Sequence, residues 1–344
     1  RAKKLQKALS NLKLDALLVE DPTDLFYHTG IHFSVGKLLV TKEDVLLLFD
    51  HRYLEMAKER SPHPAQLDTQ EPFAATCKKK QIKHLGFDGR KASYDHFLHL
   101  KRSLPEIELT SAASFFKTMR VIKDEEELVT LRKSAKHLWE GFEFIKATLK
   151  EGITEHALVK AFEIHCLQKG ADGLAFEPII AFGKNGSMPH YRPQNVPLKA
   201  GDPVLIDIGV VIDGYHSDMT RVVFFKNEDP YISQLYEIAK RSQRAALALC
   251  RPGTTLKELD LAARAVMKQE KVEELFVHGL GHGVGLEIHE YPKIKYDNDD
   301  KDVVLEAGMV ITIEPGLYVP GKGGVRYEDT IVITLDGYEN FYPE

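Results

Sequence analysis

Cysteine is nearly absent: Cys77, Cys166 and Cys250 are the only three in 344 residues. They stand far apart with no C-x-x-C pair, which excludes a disulfide framework and a cysteine zinc site and makes a reducing cytoplasm the expected compartment. Positive charge is not in surplus either, since 46 lysines and arginines against 51 aspartates and glutamates leave a net −5. A chain without cationic excess is a poor partner for nucleic acid. No apolar run approaches the roughly 18 residues that a membrane span requires. The stretch 12–19 behind the basic start is broken by Lys13 and Asp15 and is too short for a signal core. What remains, 43% hydrophobic and 28% charged residues with no low-complexity segment, describes a folded chain with length for two domains.

Short β-type runs at 16–20, 37–41, 45–50 and 81–88 alternate with helical patterns, as in a small α/β domain. Its histidines, His28, His32, His51, His63, His84, His96 and His99, are scattered without partners at useful spacing and read as surface or packing residues. A long helix follows. Asp124 and Glu127 have the spacing of a reciprocal cap, Leu128, Leu131, Ala135, Leu138, Phe142, Ile145 and Leu149 form one apolar stripe, and Gly152 reads as the stop. Beyond it the pattern predicts a helix over 155–169, a loop over 183–197, two strands within 204–225, helices over 233–250 and 256–269, then strand and turn to the end. Helices followed by antiparallel strands argue for α+β rather than a doubly wound sheet.

Three segments carry chemistry. In 204–225, two apolar strands flank an Asp213-Gly214 turn of hairpin type. With those two as the loop, Ile212 faces Tyr215, Asp207 faces Thr220, and Asp218 lies diagonally on the same face as Asp207. Like charges on a half-buried face are costly without a cation, which favours metal ligation over a pair of edge-strand acids. In 278–289, His278, His282 and His289 occur among four glycines. Gly279 stands where a zincin helix needs Glu, and Val284 and Leu286 break the G-x-G-x-x-G spacing, so both of those readings fail. In 308–330, Glu314 and Glu328 each interrupt a β-type run, and their separation of fourteen allows one face of a second hairpin while leaving its register open. The G-x-x-x-x-G-K match at Gly316 to Lys322 is a decoy, because Gly323 replaces the magnesium-binding Ser or Thr.

Asp207, Asp218, Glu314 and Glu328 with His282 make an oxygen and nitrogen donor set without sulfur. Four crowded carboxylates could not all stay ionised unaided. Two divalent cations would balance them and acidify a shared water, which implies hydrolysis. The oxygen-rich set favours Mn²⁺, with Co²⁺ or Zn²⁺ as alternatives.

In their contexts, D-I-G at 207, S-D-x-T-R at 218, G-H-G-x-G at 282, T-I-E-P-G at 314 and V-R-x-E-D at 328, these residues resemble the creatinase, prolidase and aminopeptidase P family. The likeness covers about 121–344; residues 1–120 are similar to the family's N-terminal domain. It implies an α+β pita-bread catalytic domain over 121–344, preceded by a smaller α/β creatinase N-terminal-like domain over 1–120 that shapes access and helps form a homodimer. It implies that Asp207, Asp218, His282, Glu314 and Glu328 hold two metals, and that Glu314 also shuttles a proton. His289 would stabilise the oxyanion. His190, Tyr191 and His278 would line the proline side of the site, and Arg326 would pair with metal-binding carboxylates or substrate.

The substrate implied is a peptide with proline second, hydrolysed by an Xaa-Pro aminopeptidase. The Xaa-Pro bond is a tertiary amide without N–H, and a ring-gripping pocket replaces the contact a general peptidase would make. The alternative is an Xaa-Pro dipeptidase, in which relatives carry an arginine after H-E-P-P to hold the free carboxylate. Here the stretch is His289-Glu-Tyr-Pro-Lys293 and no arginine occurs from 290 to 313, which favours the aminopeptidase. A non-catalytic peptide-binding module on the same fold would be expected to have lost ligands, and all five are present.

Overall fold

Apolar runs of four or five residues through the first third of the chain become β1 (Ala16–Val19), β2 (Lys37–Thr41), β3 (Val45–Phe49), β4 (Ala65–Leu67), β5 (His84–Phe87) and β6 (Glu108–Ser111). The computed structural model describes residues 1–68 and 72–343 and divides into two units, Arg1–Met119 and Arg120–Glu344. In the first unit the strands form one mixed sheet in the order β4-β3-β2-β1-β5-β6. All four residues of β1 are buried: Leu17 and Val19 enter one core while Ala16 and Leu18 enter another, as a strand covered on both faces requires. Helices α1 (Ala2–Leu12), α2 (Pro22–Thr29), α3 (Leu54–Arg60), α4 (Phe73–Lys79), α5 (Tyr94–Ser103) and α6 (Ala113–Thr118) complete it. The strand expected from 81 starts only at His84, since the Lys83 and His84 amides are held by the Asp15 carboxylate at 2.9 Å each.

The second unit opens with α7 (Glu125–Thr148). Asp124 and Glu127 cap its start reciprocally, each carboxylate accepting the other's amide at 3.0 Å, and Leu128, Leu131, Ala135, Leu138, Phe142 and Ile145 form its buried stripe. The helix ends at Thr148, ahead of Gly152, which takes a φ of +82° in the turn to α8 (Glu155–Gln168). Helix α9 (Pro230–Leu247) begins earlier than its apolar period suggests, because Asp229 caps it with Pro230 in the first position. Helix α10 (Leu256–Gln269) follows and packs on α9.

The strands of this unit are β7 (Gly173–Leu174), β8 (Ile179–Phe182), β9 (Pro203–Ile208), β10 (Val210–Ile212), β11 (Tyr215–His216), β12 (Met219–Phe224), β13 (Gly281–Gly283), β14 (Glu290–Ile294), β15 (Val310–Ile313), β16 (Gly316–Val319), β17 (Gly323–Arg326), β18 (Asp329–Ile333) and β19 (Tyr338–Asn340). They pair as β11-β10-β7, β12-β9-β8, β14-β13-β15-β18-β19 and β16-β17, all antiparallel. Two cores flank them, one built on α7 and α8 and the other on α9 and α10. Strand β9 shows how the pleat divides the labour: Val204, Ile206 and Ile208 enter the α7–α8 core, Leu205 enters the other, and Asp207 shares Leu205's face. No helix among the described residues is long and apolar enough to cross a membrane.

Candidate metal centre

The first hairpin has the register its turn residues predict. Ile212 pairs with Tyr215 and Asp207 with Thr220, so one unbroken register runs from the Asp213-Gly214 turn to both carboxylates. Asp213 and Gly214 take φ of +49° and +81°, the left-handed pair that a two-residue hairpin loop demands. Asp218 lies two residues from Thr220 and therefore on its face.

The register left open by the second hairpin is set by its three-residue tip. Val319 pairs with Gly323, Gly316 with Arg326 and Ile313 with Asp329, which places Glu314 opposite Glu328. Among the described residues one backbone bridge joins the two hairpins, Thr220 to Glu328, with the Glu328 amide donating to the Thr220 carbonyl at 3.2 Å. Asp207, Thr220, Glu328 and Glu314 thus form one row across the strands. His282 enters from β13: its amide donates to Thr312 Oγ1 at 3.0 Å, and the Glu314 amide donates to the Leu280 carbonyl at 2.8 Å.

His282 Nδ1 lies 3.0 Å from the Gly283 carbonyl, which can only accept, so Nδ1 carries the proton and Nε2 presents its lone pair to the carboxylates. Nε2 is 3.5 Å from Asp218 Oδ2 and 3.5 Å from Glu314 Oε1. Burial pushes the Asp218 carboxyl well above the usual range, with repulsion from Glu328, Asp207 and Glu314 adding to it. Glu314 is raised in the same way, by burial and then by Glu328. Glu328 is pushed up to about 8, again by burial first and by Asp207 second. Burial drives His282 down to about 3, so its imidazole is neutral and ligand-ready at neutral pH. Four acids with one arginine among them, and donor atoms of Asp218, His282 and Glu328 all within 4.8 Å of one another, fit a pair of divalent cations.

That arginine is Arg326, buried, with Nη2 on the Asp207 carboxylate, Nε donating to Thr220 Oγ1 at 3.0 Å and Nη1 donating to the Tyr318 hydroxyl at 2.6 Å. Tyr318 in turn donates to His278 Nε2 at 2.9 Å, because His278 Nδ1 is committed to the Gly279 carbonyl at 2.8 Å. Burial and the Arg326 charge drive His278 down to about 3. His289 is exposed, with its ring edge-on to His282 at 4.4 Å between centroids, and its pKa is lowered by burial and then by Lys293. His190, also exposed, is near enough to depress both His278 and His289. Tyr191 is buried and its hydroxyl donates to Glu155 Oε2 at 2.7 Å, so it supports the loop rather than offering a polar group to a ligand.

Glu155 and Tyr318 are site-building residues that sequence reasoning passed over, and Thr220 and Arg221, met there only as the partner of Asp207 and within S-D-x-T-R, build the site as well. Glu155, with no exposure, pins the 183–197 loop at three points, Asn185 Nδ2, Tyr191 and the Gln194 amide, and holds the Phe182 amide just ahead of it. Parity was the available signal for two of the others, since Thr220 is two residues from Asp218 and Tyr318 four from Glu314. Nothing in the sequence marks Glu155, whose partners lie 27 to 39 positions away.

The description "Metallopeptidase family M24" matches residues 130–335, and "Creatinase/Prolidase N-terminal domain" matches residues 1–122. An uncharacterised peptidase of Bacillus subtilis, YqhT, is 32% identical over 343 residues, covering 98% of this chain and 96% of its own. The prolidase of Pyrococcus horikoshii superposes with a TM-score of 0.92 at 33% identity, over 99% of this chain and 97% of that one. The X-Pro aminopeptidase of Thermotoga maritima superposes at 0.91 with 28% identity, over 97% of each. The architecture is that of a creatinase-type N-terminal domain followed in the chain by a pita-bread catalytic domain.

Proposed function

This chain belongs to metallopeptidase family M24, and from that premise we propose that it hydrolyses the Xaa-Pro bond of peptides, releasing the residue ahead of a proline in second position. The observation that carries the reading is the single row Asp207, Thr220, Glu328, Glu314, with His282 beside it. In our reading Asp207, Asp218, His282, Glu314 and Glu328 hold two divalent cations, Mn²⁺ by preference for an oxygen-rich set. When bound, such a pair supplies Lewis acidity toward the scissile carbonyl and makes water acidic enough to attack at neutral pH.

The chain's own groups do the rest. Glu314, in that row and beside His282, takes the proton of the attacking water and delivers it to the leaving proline nitrogen. His289, at the open side of the site and depressed by burial, is a neutral imidazole whose N–H meets the developing oxyanion. His190 closes the proline side from the loop that Glu155 pins through Tyr191. His278 acts there through Tyr318, since both of its nitrogens are engaged. Arg326 pairs with the Asp207 carboxylate and offsets its charge.

A second reading, an Xaa-Pro dipeptidase, has its own support in Lys293. It pairs with His282 across β13 and β14, is exposed, and bears on the titration of both His282 and His289. A cation there attracts the free carboxylate of a dipeptide, although without the two-pronged grip of an arginine. The likeness to a prolidase and to an X-Pro aminopeptidase is nearly equal, 0.92 against 0.91, so fold does not choose between them. The test is hydrolysis of Gly-Pro, Ala-Pro and an Xaa-Pro-Xaa tripeptide by Mn²⁺-loaded protein, alongside Lys293→Met. Release of the first residue from the tripeptide, with Lys293→Met indifferent, upholds the aminopeptidase. Activity confined to dipeptides, with KM raised in Lys293→Met, replaces it by the dipeptidase.

A further inference from the structure

Glu328 is held at three points by two consecutive residues of the other hairpin. Its amide donates to the Thr220 carbonyl at 3.2 Å, its carbonyl accepts from Arg221 Nη1 at 2.6 Å, and its Oε2 accepts from Thr220 Oγ1 at 2.6 Å. Arg326 Nε donates to the same Thr220 oxygen at 3.0 Å, leaving the hydroxyl hydrogen for the Glu328 carboxylate.

Strand alternation puts Thr220 and Glu328 on the front of the sheet and Arg221, Tyr327 and Asp329 on its back. Behind the sheet, Arg221 lies 4.3 Å over the Tyr327 ring, its Nη2 donating to Asp329 Oδ1 at 2.6 Å. Asp329 Oδ2 is taken by Gln243 Nε2 at 2.8 Å and Asn340 Nδ2 at 3.0 Å. The guanidinium charge is therefore balanced without Glu328, and its other nitrogen is left to grip the Glu328 carbonyl. That grip matters because, among the described residues, the Thr220–Glu328 bridge is the only ladder contact between the two hairpins. Without that grip the backbone at Glu328 itself would be tied to the neighbouring hairpin by one main-chain hydrogen bond, the other ties lying two residues to either side, in the Arg326 contacts to Asp207 and Thr220 and the Thr330 Oγ1 bond to the Asp218 carbonyl at 2.9 Å.

We infer that Thr220 and Arg221 are positioning residues that clamp Glu328 from the front and the back of the sheet and so set the affinity of the site for divalent metal. The inference rests on the reading of Glu328 as a metal ligand. Thr220 fixes which carboxylate oxygen is spent on protein and which remains for the cation; Arg221 fixes the backbone that carries it. Outer partners of this kind are worth 10–100-fold in metal affinity.

The test is calorimetric titration of metal-stripped full-length protein with Mn²⁺ alone, with the melting temperature of the stripped form as the control for folding. Thr220→Val keeps the shape and removes the hydroxyl; it is expected to weaken Mn²⁺ binding about 10–100-fold while Thr220→Ser stays within about threefold of wild type. Arg221→Lys keeps the charge for Asp329 but cannot also reach the Glu328 and Thr220 carbonyls, to which Nη1 donates at 2.6 and 3.0 Å, and is expected to lose several-fold; it carries the test alone if Thr220→Val does not fold. A role confined to stability would lower the melting temperature of the stripped protein and leave the affinity of the folded form unchanged, which overturns the inference. Wild-type protein that takes up no Mn²⁺ overturns the metal reading beneath it.

Discussion

Gly281 is required by distance rather than by backbone angle, and replacing it with alanine tests the placement of His282 against Glu314. A Cβ at this position would lie 2.0 Å from the Thr312 carbonyl oxygen and 2.8 Å from its carbon, where ordinary contact begins at 3.4 Å. Strand β13 would have to back away from β15 by about 1.4 Å, the difference between those limits. Two bonds span that gap, His282 N–H to Thr312 Oγ1 at 3.0 Å and Glu314 N–H to the Leu280 carbonyl at 2.8 Å, and both would be broken. At about 0.5–1.5 kcal/mol each, added to about 1–3 kcal/mol for overpacking, Gly281→Ala should cost about 2–6 kcal/mol. That is a large share of the roughly 5–15 kcal/mol stability of a domain. Urea denaturation of metal-stripped protein measures it, and Mn²⁺ titration of whatever remains folded should show weaker binding, because the displaced residues are donors. Gly173→Ala is the control, since nothing lies within 4 Å of its added carbon. A Gly281→Ala protein within about 0.5 kcal/mol of wild type and with unchanged Mn²⁺ affinity would refute the strand geometry argued above.

Asp218→Asn should abolish peptide hydrolysis and weaken Mn²⁺ binding, and full activity in that variant would exclude Asp218 as a ligand. Chelation should lower the melting temperature of the holoprotein, by linkage of about 2.7 kcal/mol when metal stands at 100 times its Kd; an EDTA-indifferent melt would speak against bound metal. Burial pushes the Cys77, Cys166 and Cys250 thiols up to about 12, above the ordinary thiol value of 9.0 that the unfolded chain would show. Folding holds these thiols protonated, so their contribution is present below about pH 9 and fades as pH rises toward 12. Iodoacetamide at pH 8 should then modify none of them in native protein and all three in urea; native labelling would contradict their burial. Phe162, fully buried in the α7–α8 core, should cost about 3–5 kcal/mol as Phe162→Ala, read from the shift in urea midpoint.

Local rules were enough wherever the partners lie close in the chain. The Asp213-Gly214 dipeptide settles its hairpin because only φ-positive residues close a two-residue loop, and the positions of Asp207 and Asp218 follow by counting. The reciprocal cap of α7 was likewise legible from a spacing of three residues. The register of the second hairpin was not, since the residues between Glu314 and Glu328 admit several turns, and only the tip at 320–322 puts those two opposite each other. Helix α9 was misjudged at its start because its apolar period begins after the Asp229-Pro230 cap.

The sequence by itself determined the donor types, the alternation that puts Asp207, Thr220 and Asp218 on one face, and the membership in a metallopeptidase family that those residues imply. Tertiary structure alone decided that the two hairpins meet at Thr220 and Glu328, that Glu155 pins a loop some 30 residues away, and that Asp207 is the carboxylate with which Arg326 pairs. The reason is physical: a strand's facing is fixed by a two-residue repeat within the chain, whereas the meeting of two hairpins 108 residues apart depends on which buried polar groups can satisfy one another once both are packed.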